Sequence, residues 1–527
     1  MRWNVVEELR TKRWALRLLH IVPILALLSL FTVTGLRGVD FGDHWDEAEW
    51  HIQPARDMVA SGVFLPHRYI YPAFTKWLEL APAIPAGLTA GLDGPKMQAA
   101  MSRVANAPEF HLRVRDVFIV VSGLAIVWVY GAALALRRKW WEGLLAAAGL
   151  GLSWEYAYHS RWVTADCILT QFSALTVLLL AVHHRTKRTG WLYAAAIAAG
   201  LGTGTKYTGV FLLVLVMFAS VGVRPARAWP KWLGHAFRLA ALCATAFGAY
   251  LVTTPGTLLE PFAFINETKL ISSVYSGSHY GYTVTAGWPH WKVALTFLSV
   301  SFFSPYKVVA LPLFASIFLG AFAWVRSDRR AAALLICFPV LLLAFFCGRY
   351  TIAVVRNYLM LTPFLTLLSA RGVAEVFARI PVRWGRRALG GVLVVAMAAN
   401  AAWLIRAGES IRRLDANGEV RDAIAYVARH GGTRFRLSPR VRALAAEQQL
   451  TLPPNVTEGG DPQVVVFFPK AEGPDPRQFK TNDPWLTEAV FGPGEVDFNW
   501  YSTWGGRDRV VAMTIAKAKG TGVLLAN

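Results

Sequence analysis

VFIVVSGLAIVWVYGAALAL, residues 117–136, followed at once by Arg137-Arg138-Lys139, is the stretch whose reading decides the class of this protein. An uncharged run of this length is what the hydrocarbon core of a bilayer asks of one helix, because lipid offers no partner to a bare peptide group. The basic cluster behind it is the mark of a cytoplasmic loop. The same unit recurs along the chain in blocks such as Ile21–Thr34, Leu175–Val182 and Val210–Val223, each bounded by charge or by Gly and Pro. These blocks account for the totals of the 527-residue chain, which is 55% hydrophobic and only 17% charged, with a mean hydropathy of +0.38. A soluble chain carries about 25% charged residues.

The formal net charge of +21 and the isoelectric point near 10.1 raise the question of nucleic acid. Lys and Arg collect in short loops between apolar blocks, and no basic stripe is interleaved with aromatics, so nucleic acid is excluded as a partner. Cys167, Cys243, Cys337 and Cys347 lie in or beside apolar blocks without metal-type spacing and read as small buried hydrophobes. The basic segment Arg2–Arg17 precedes an apolar run with no small-residue cleavage site, which reads as an uncleaved first span.

Charge bias then threads the chain. The N-terminus is inside, span 1 covers about 18–36, and the polar, aromatic stretch 38–115 lies outside. Span 2 returns to Arg137–Lys139, span 3 runs out to Tyr156–Arg161, and span 4 comes back to His183–Arg188. Two short spans flank Gly202–Lys206, so Lys206 sits at their outer end, and span 7 (about 234–252) leads to a second outer segment, 253–291. An interfacial helix is expected over Pro289–Phe303, followed by spans 8 to 10 with the inner loops Arg326–Arg330 and Arg379–Arg387. Span 11 (about 388–405) leaves the C-terminus outside. The fold class expected is an all-α polytopic membrane domain of about 11 transmembrane helices, residues 1–406. A small α/β extracytoplasmic domain follows, residues 407–527, with a helix over Glu409–His430 and strands at Val464–Phe468 and Arg509–Ile515.

The chemistry-bearing residues gather on the outer side. The first outer loop opens with Asp40, Asp43, Asp46, Glu47 and Glu49, an expensive cluster directly after a span. Such carboxylates either favour a helix N-terminus or act as the general base for an acceptor hydroxyl. Further on, the aromatic segment Gly62–Pro72 carries Arg68, a candidate phosphate ligand or part of an interfacial belt. Arg161 and Asp166 bring a cation and an anion to the same side, Asp166 being equally a candidate helix cap. Lys206 is a lone lysine between two short spans, suited either to snorkelling or to a lipid phosphate. Arg349 and Arg356 add cations at the same face. A reaction that needs both signs is displacement at an anomeric carbon with a phosphate leaving group.

Asp46-Glu47 after the first span, Ala55-Arg56, Gly62 and Tyr71-Pro72, then Ser160–Asp166, Gly202–Tyr207 and Arg356–Pro363, resemble in order the motifs of the GT-C glycosyltransferases. The resemblance covers about residues 18–405. The branch is the dolichyl-phosphate-mannose protein mannosyltransferase-like group, with the bacterial aminoarabinose transferases (glycosyltransferase family 39-like). It implies an integral cytoplasmic-membrane glycosyltransferase of the cell envelope, taking mannose or another sugar from a polyprenyl phosphate. The acceptor it implies is a lipid, glycan or protein hydroxyl outside the membrane, and the stereochemistry is inverting. It implies further that Asp46 is the catalytic base with Glu47 beside it, that Asp166 is the second acidic position, and that Lys206 is the phosphate-side lysine. Arg161, Arg356 and Arg68 are the further phosphate-binding candidates. A divalent metal is left open, since some relatives bind one. Tyr71-Pro72-Ala73-Phe74 departs from the family's double proline. The alternative function is a transporter or flippase for a polyprenyl-linked substrate, which ionisable residues at mid-span would favour; here they avoid mid-span.

Overall fold

A computed structural model describes residues 21–39, 47–91, 93–221, 231–277, 283–412, 418–458, 464–467, 485–491 and 510–515. Two compact units divide the chain between Arg406 and Ala407.

In the larger unit, α1 (Ile21–Arg37) is followed by a helical connector rather than by an irregular loop. After a π-helical turn, Ala48–Ile52, come α2 (Gln53–Ser61), α3 (Phe74–Glu79), α4 (Ile84–Thr89) and α5 (Gly94–Ala105). Pro54, Pro85 and Pro95 occupy the first turns of α2, α4 and α5, where a missing N–H costs nothing. Gly62 ends α2 with a φ of 69°, a left-handed cap that favours glycine. Then come α6 (Phe110–Arg137), α7 (Trp140–Gly151), α8 (Trp154–Ser160), α9 (Ala165–Thr186), α10 (Gly190–Thr205) and α11 (Val210–Val221). They lead to α12 (Lys231–Thr253), α13 (Gly256–Leu259), α14 (Pro261–Ser276) and α15 (Trp288–Val300). Helices α16 (Lys307–Ser327), α17 (Arg329–Arg349), α18 (Thr362–Arg379) and α19 (Arg383–Arg412) complete the bundle, with a 3₁₀ segment, Val355–Leu361, ahead of α18.

Among the described residues, seven helices are long and apolar enough to cross a bilayer: α6, α9, α12, α16, α17, α18 with its 3₁₀ lead, and α19. The other expected spans coincide with the shorter helices α1, α7, α10 and α11. The chain is an integral membrane protein of all-α architecture. Helices α9 and α18 are the most buried and α19 the least. At the contact of α16 with α18, Gly320 and Gly372 lie so close to the opposite backbone that neither has room for a Cβ, the small-residue packing that holds helices together where lipid supplies no hydrophobic drive. An apolar crevice of about 400 Å³ opens between α7, α16, α18 and α19.

One end of the bundle gathers the basic turns. Arg137 pairs with Glu142 at 3.3 Å, and its guanidinium and that of Arg371 both lie over Trp324, at 5.8 and 5.9 Å. Beside them, His184 Nε2 meets Asp328 Oδ2 at 2.7 Å, while Asp328 Oδ1 accepts the amides of Arg330 and Ala331 and so caps α17.

The smaller unit contains α20 (Gly418–Arg429) and α21 (Pro439–Glu447) with strands β1 (Phe435–Leu437), β2 (Val464–Phe467), β3 (Trp485–Phe491) and β4 (Val510–Ile515). The sheet order is β1-β2-β4-β3. β1 and β2 are parallel and joined through α21, while β4 runs antiparallel to both neighbours. Val420, Ala423, Ile424 and Val427 of α20 pack with Phe435, Leu437, Val441, Ala445 and Val466 into one buried cluster.

Candidate functional site

The site is built at the end of the bundle opposite the basic turns. The extended residue Thr164 (φ −134°, ψ 154°) starts α9, so Asp166 falls in its first turn and Thr164 occupies the cap position. At the far side, α10 stops at Lys206, whose own backbone is extended (φ −151°, ψ 136°). A 3₁₀ turn, Tyr207–Gly209, then leads into α11. Gly209 lies against the backbone of Gly202 with no space for a side chain. This reversal aims the lysine inward. Its Nζ donates to Asp166 Oδ1 at 2.7 Å and to Asn357 Oδ1 at 2.6 Å. From the 3₁₀ segment, Arg356 places Nε 3.3 Å from Asp166 Oδ2. Lys206, Asp166, Arg356 and Asn357 are all buried.

Two cations therefore share one carboxylate in a desolvated place. Burial of charge is costly unless it is paired, and here both cations are paired with Asp166. Polar capacity is left over. Asn357 Nδ2 has no hydrogen-bond partner among the described residues, while His159, whose Nε2 lies 3.6 Å from the buried Glu155 carboxylate, is close enough to Asp166 to act on it electrostatically. Tyr275, at the end of α14, donates its hydroxyl to Asn357 Oδ1 at 3.4 Å.

The 3₁₀ segment is fixed from behind by His290 of α15. Its Nδ1 lies 2.7 Å from the Tyr350 carbonyl, which can only accept, so Nδ1 carries the proton and Nε2 accepts from the Tyr358 hydroxyl. Burial pulls the imidazole below its usual range, partly offset by the Tyr350 carbonyl. Both suit a neutral ring.

The remaining residues singled out in the sequence are placed elsewhere. Asp46, with Asp40 and Asp43, lies outside the described residues. Glu47 is buried against Arg115: Arg115 Nε donates to its Oε1 at 3.1 Å, Nη2 to its Oε2, and the Val163 amide to Oε1 at 2.6 Å. It ties the first connector to α6 and to the strand-like link ahead of Asp166. Arg161 does not join Lys206. Its donors go to the carbonyls of Gly38 and Thr34, at 3.1 Å each, and of Ala157, with the guanidinium 5.2 Å over Trp154. Arg68 is half-exposed, 3.8 Å from Glu267 and stacked over Trp50 at 5.5 Å.

Its neighbour Tyr69 is the tighter anchor. The Tyr69 hydroxyl donates to Glu260, which also pairs with His67, and the Tyr69 and Ile70 amides donate to Glu267. Burial and the bond to Glu260 hold this phenol well above its ordinary range, so it stays a donor. Tyr207 reaches back to the Tyr69 carbonyl at 2.6 Å, linking the connector to the turn after Lys206. A buried trio that the sequence reading missed lies under the connector: His51 Nδ1 is 2.7 Å from Glu79, and Lys76 Nζ is 3.2 Å from the same nitrogen. Its only sequence signal is a Lys and a Glu three apart on a short helix. Among the described residues no three His, Cys, Asp or Glu side chains are grouped to hold a metal, and Asp166 is already engaged by two cations. The donor set described does not fit a metal, and no step is derived through one.

Fold and site together define a polytopic membrane protein with a buried cluster of Lys206, Asp166, Arg356 and Asn357 at one end of its bundle. Residues 94–256 match the family model of the dolichyl-phosphate-mannose-protein mannosyltransferases, and over that stretch the chain is similar to this family, in agreement with the order of its motifs. No curated protein matches. Among solved structures, ArnT from Cupriavidus metallidurans bound to undecaprenyl phosphate is 15% identical, with a TM-score of 0.45 over 94% of this chain and 98% of that one. The archaeal oligosaccharyltransferase AglB from Archaeoglobus fulgidus, in complex with an inhibitory peptide and a dolichol-phosphate, is 13% identical, with a TM-score of 0.48 over 85% of this chain and 61% of that one.

Proposed function

We propose that this protein is an integral-membrane glycosyltransferase that moves a sugar from a polyprenyl phosphate to an acceptor hydroxyl, on the extracytoplasmic side and with inversion. The observation that carries the reading is the buried pairing of Lys206 and Arg356 with the carboxylate of Asp166. An anionic phosphate entering there meets the Lys206 and Arg356 cations and the amide nitrogen of Asn357, which has no hydrogen-bond partner among the described residues. The acceptor oxygen attacks the anomeric carbon and gives its proton to the Asp46 carboxylate. The bond from that carbon to the phosphate oxygen breaks, and the electron pair leaves on the phosphate, next to Lys206 and Arg356. Fixed charges aimed at developing charge are the largest catalytic term in such displacements, and a helix-walled site keeps water from competing. Asp166 holds the two cations in place, while Glu47 serves as a brace.

The side of the membrane follows from charge. The turns after α6, α9, α16 and α18 are the basic ones, and basic turns stay in the cytoplasm, which leaves the Lys206 end outside. The same rule puts the smaller unit, 407–527, outside as a separate domain.

The test is reconstitution with a radiolabelled polyprenyl-phosphate sugar. Lys206→Met is expected to lower kcat by about 10²–10³, the size of losing one oxyanion donor, and Asp46→Asn to abolish transfer. Full activity of Lys206→Met removes the phosphate role. Absence of turnover with every lipid-linked donor removes the enzyme.

A further inference from the structure

Helices α13 and α14 follow the membrane-crossing helix α12 and are exposed on the side away from the site. α12 ends with Val252 78% exposed, and exposed apolar side chains resume in the next turns at Leu258 (63%), Leu259 (67%), Phe262 (83%) and Ile265 (44%). Beyond Ile265 the exposed positions turn polar at Asn266, Lys269, Ser272, Ser273 and Ser276, with Leu270 the one apolar residue among them. No side chain of α14 is fully buried. Its other side belongs to the site: Phe264 packs edge-on against Tyr69 and Tyr207, Glu267 holds the Tyr69 and Ile70 amides, and Tyr275 reaches Asn357.

We infer that α13 and the first turns of α14 are seated among lipid acyl chains, in the leaflet at the Lys206 end, and that α14 rises out of that leaflet toward its C-terminus. The occupant of the exposed face is lipid because the face follows directly along the chain from α12, a helix whose length and composition already assign it to the bilayer. A large contiguous apolar patch left in water would be a liability, and the switch from Phe262 to Ser273 along one helix marks the passage from acyl chains to headgroups and water. Lys269 stands at the boundary, where a lysine buries its stem and keeps its ammonium wet. Phe262 and Ser273 are separated along α14 by about 16 Å of helical rise, ample for one end to be immersed and the other not. This inference stands on the membrane reading alone and does not depend on the reaction.

The experiment uses the full chain in nanodiscs of phosphatidylcholine and phosphatidylglycerol, with a fluorophore on Leu259→Cys, Phe262→Cys or Ser273→Cys and wild type labelled in parallel as background. These are exposed positions, so the substitutions do not disturb packing, and Phe262→Trp with brominated lipid repeats the measurement without a label. Doxyl groups on the acyl chains are expected to quench positions 259 and 262 at least threefold more than 273, and aqueous iodide the reverse. Iodide quenching of 262 equal to that of 273 would place the face in water and overturn the inference. Protection of 262 from both quenchers would overturn it too, by showing a protein, such as a second copy, on that face.

Discussion

Glu47 and Asp166 are both buried carboxylates beside cations, yet their surroundings give them different work. Glu47 accepts from both Arg115 donors and from the Val163 amide, so its oxygens are engaged and its charge is cancelled. Asp166 faces two cations, Lys206 and Arg356. Glu47→Ala removes a carboxylate paired with the fully buried Arg115 and is expected to cost about 3–5 kcal/mol, read as a lower unfolding midpoint of the detergent-solubilised protein. An unchanged midpoint with transfer lost would instead make Glu47 a reacting group. At this scale Lys206, Asp166 and Arg356 were legible as lone charges amid apolar sequence. Asn357, although 151 residues from Lys206, stood in a motif but gave no sign of its partner, and His159 and Tyr275 gave none either, because convergence of distant helices leaves no local trace. The same gap explains Arg161 and Arg68: sharing a membrane side with Lys206 does not imply meeting it.

At the scale of elements, the 3₁₀ segment Val355–Leu361 is the part most exposed to failure, since it presents Arg356 and Asn357 and is held through Tyr358 by His290. The ring faces the Tyr350 carbonyl and the Tyr358 hydroxyl, and the carbonyl offsets only part of the cost of burying a positive charge. Its folded pKa lies below the unfolded value of about 6.5. As pH falls through that value the unfolded chain binds a proton that the folded one refuses, so stability is full above it and declines below. Between about pH 7 and pH 5.5 the unfolding midpoint of wild type is expected to drop more than that of His290→Gln. Equal slopes for the two proteins would show that His290 is not the titrating group. Long helices were legible from apolar runs, since twenty uncharged residues leave one solution in lipid. The four short helices of the first connector were not, because their signals are single prolines and one capping glycine within a segment rich in aromatics.

For the whole molecule, the division near Arg406 separates two kinds of stabilisation. The membrane unit depends on lipid outside and close backbone contact inside, as at Gly320 and Gly372. The smaller unit has the organisation of a water-soluble α/β fold: a buried cluster drawn from α20, β1, α21 and β2, and a parallel β1–β2 pair whose helical crossover supplies that cluster. The sequence revealed two of the strands, the helix and the change of composition. β1 and β3 escaped because Phe435–Leu437 is three residues long and Trp485–Phe491 is interrupted by Glu488, at the register shift between Thr487 and Ala489. Such a unit does not need the bilayer. Residues 407–527 expressed alone are therefore expected to be soluble, to give an α/β circular dichroism spectrum, and to unfold cooperatively in urea, with Val427→Asp abolishing the transition by placing an unpaired charge at the centre of the cluster. A coil spectrum or a gradual, non-cooperative loss of signal would mean that the unit borrows its stability from the membrane bundle, and the boundary at 406 would then be a bend within one domain rather than a division between two.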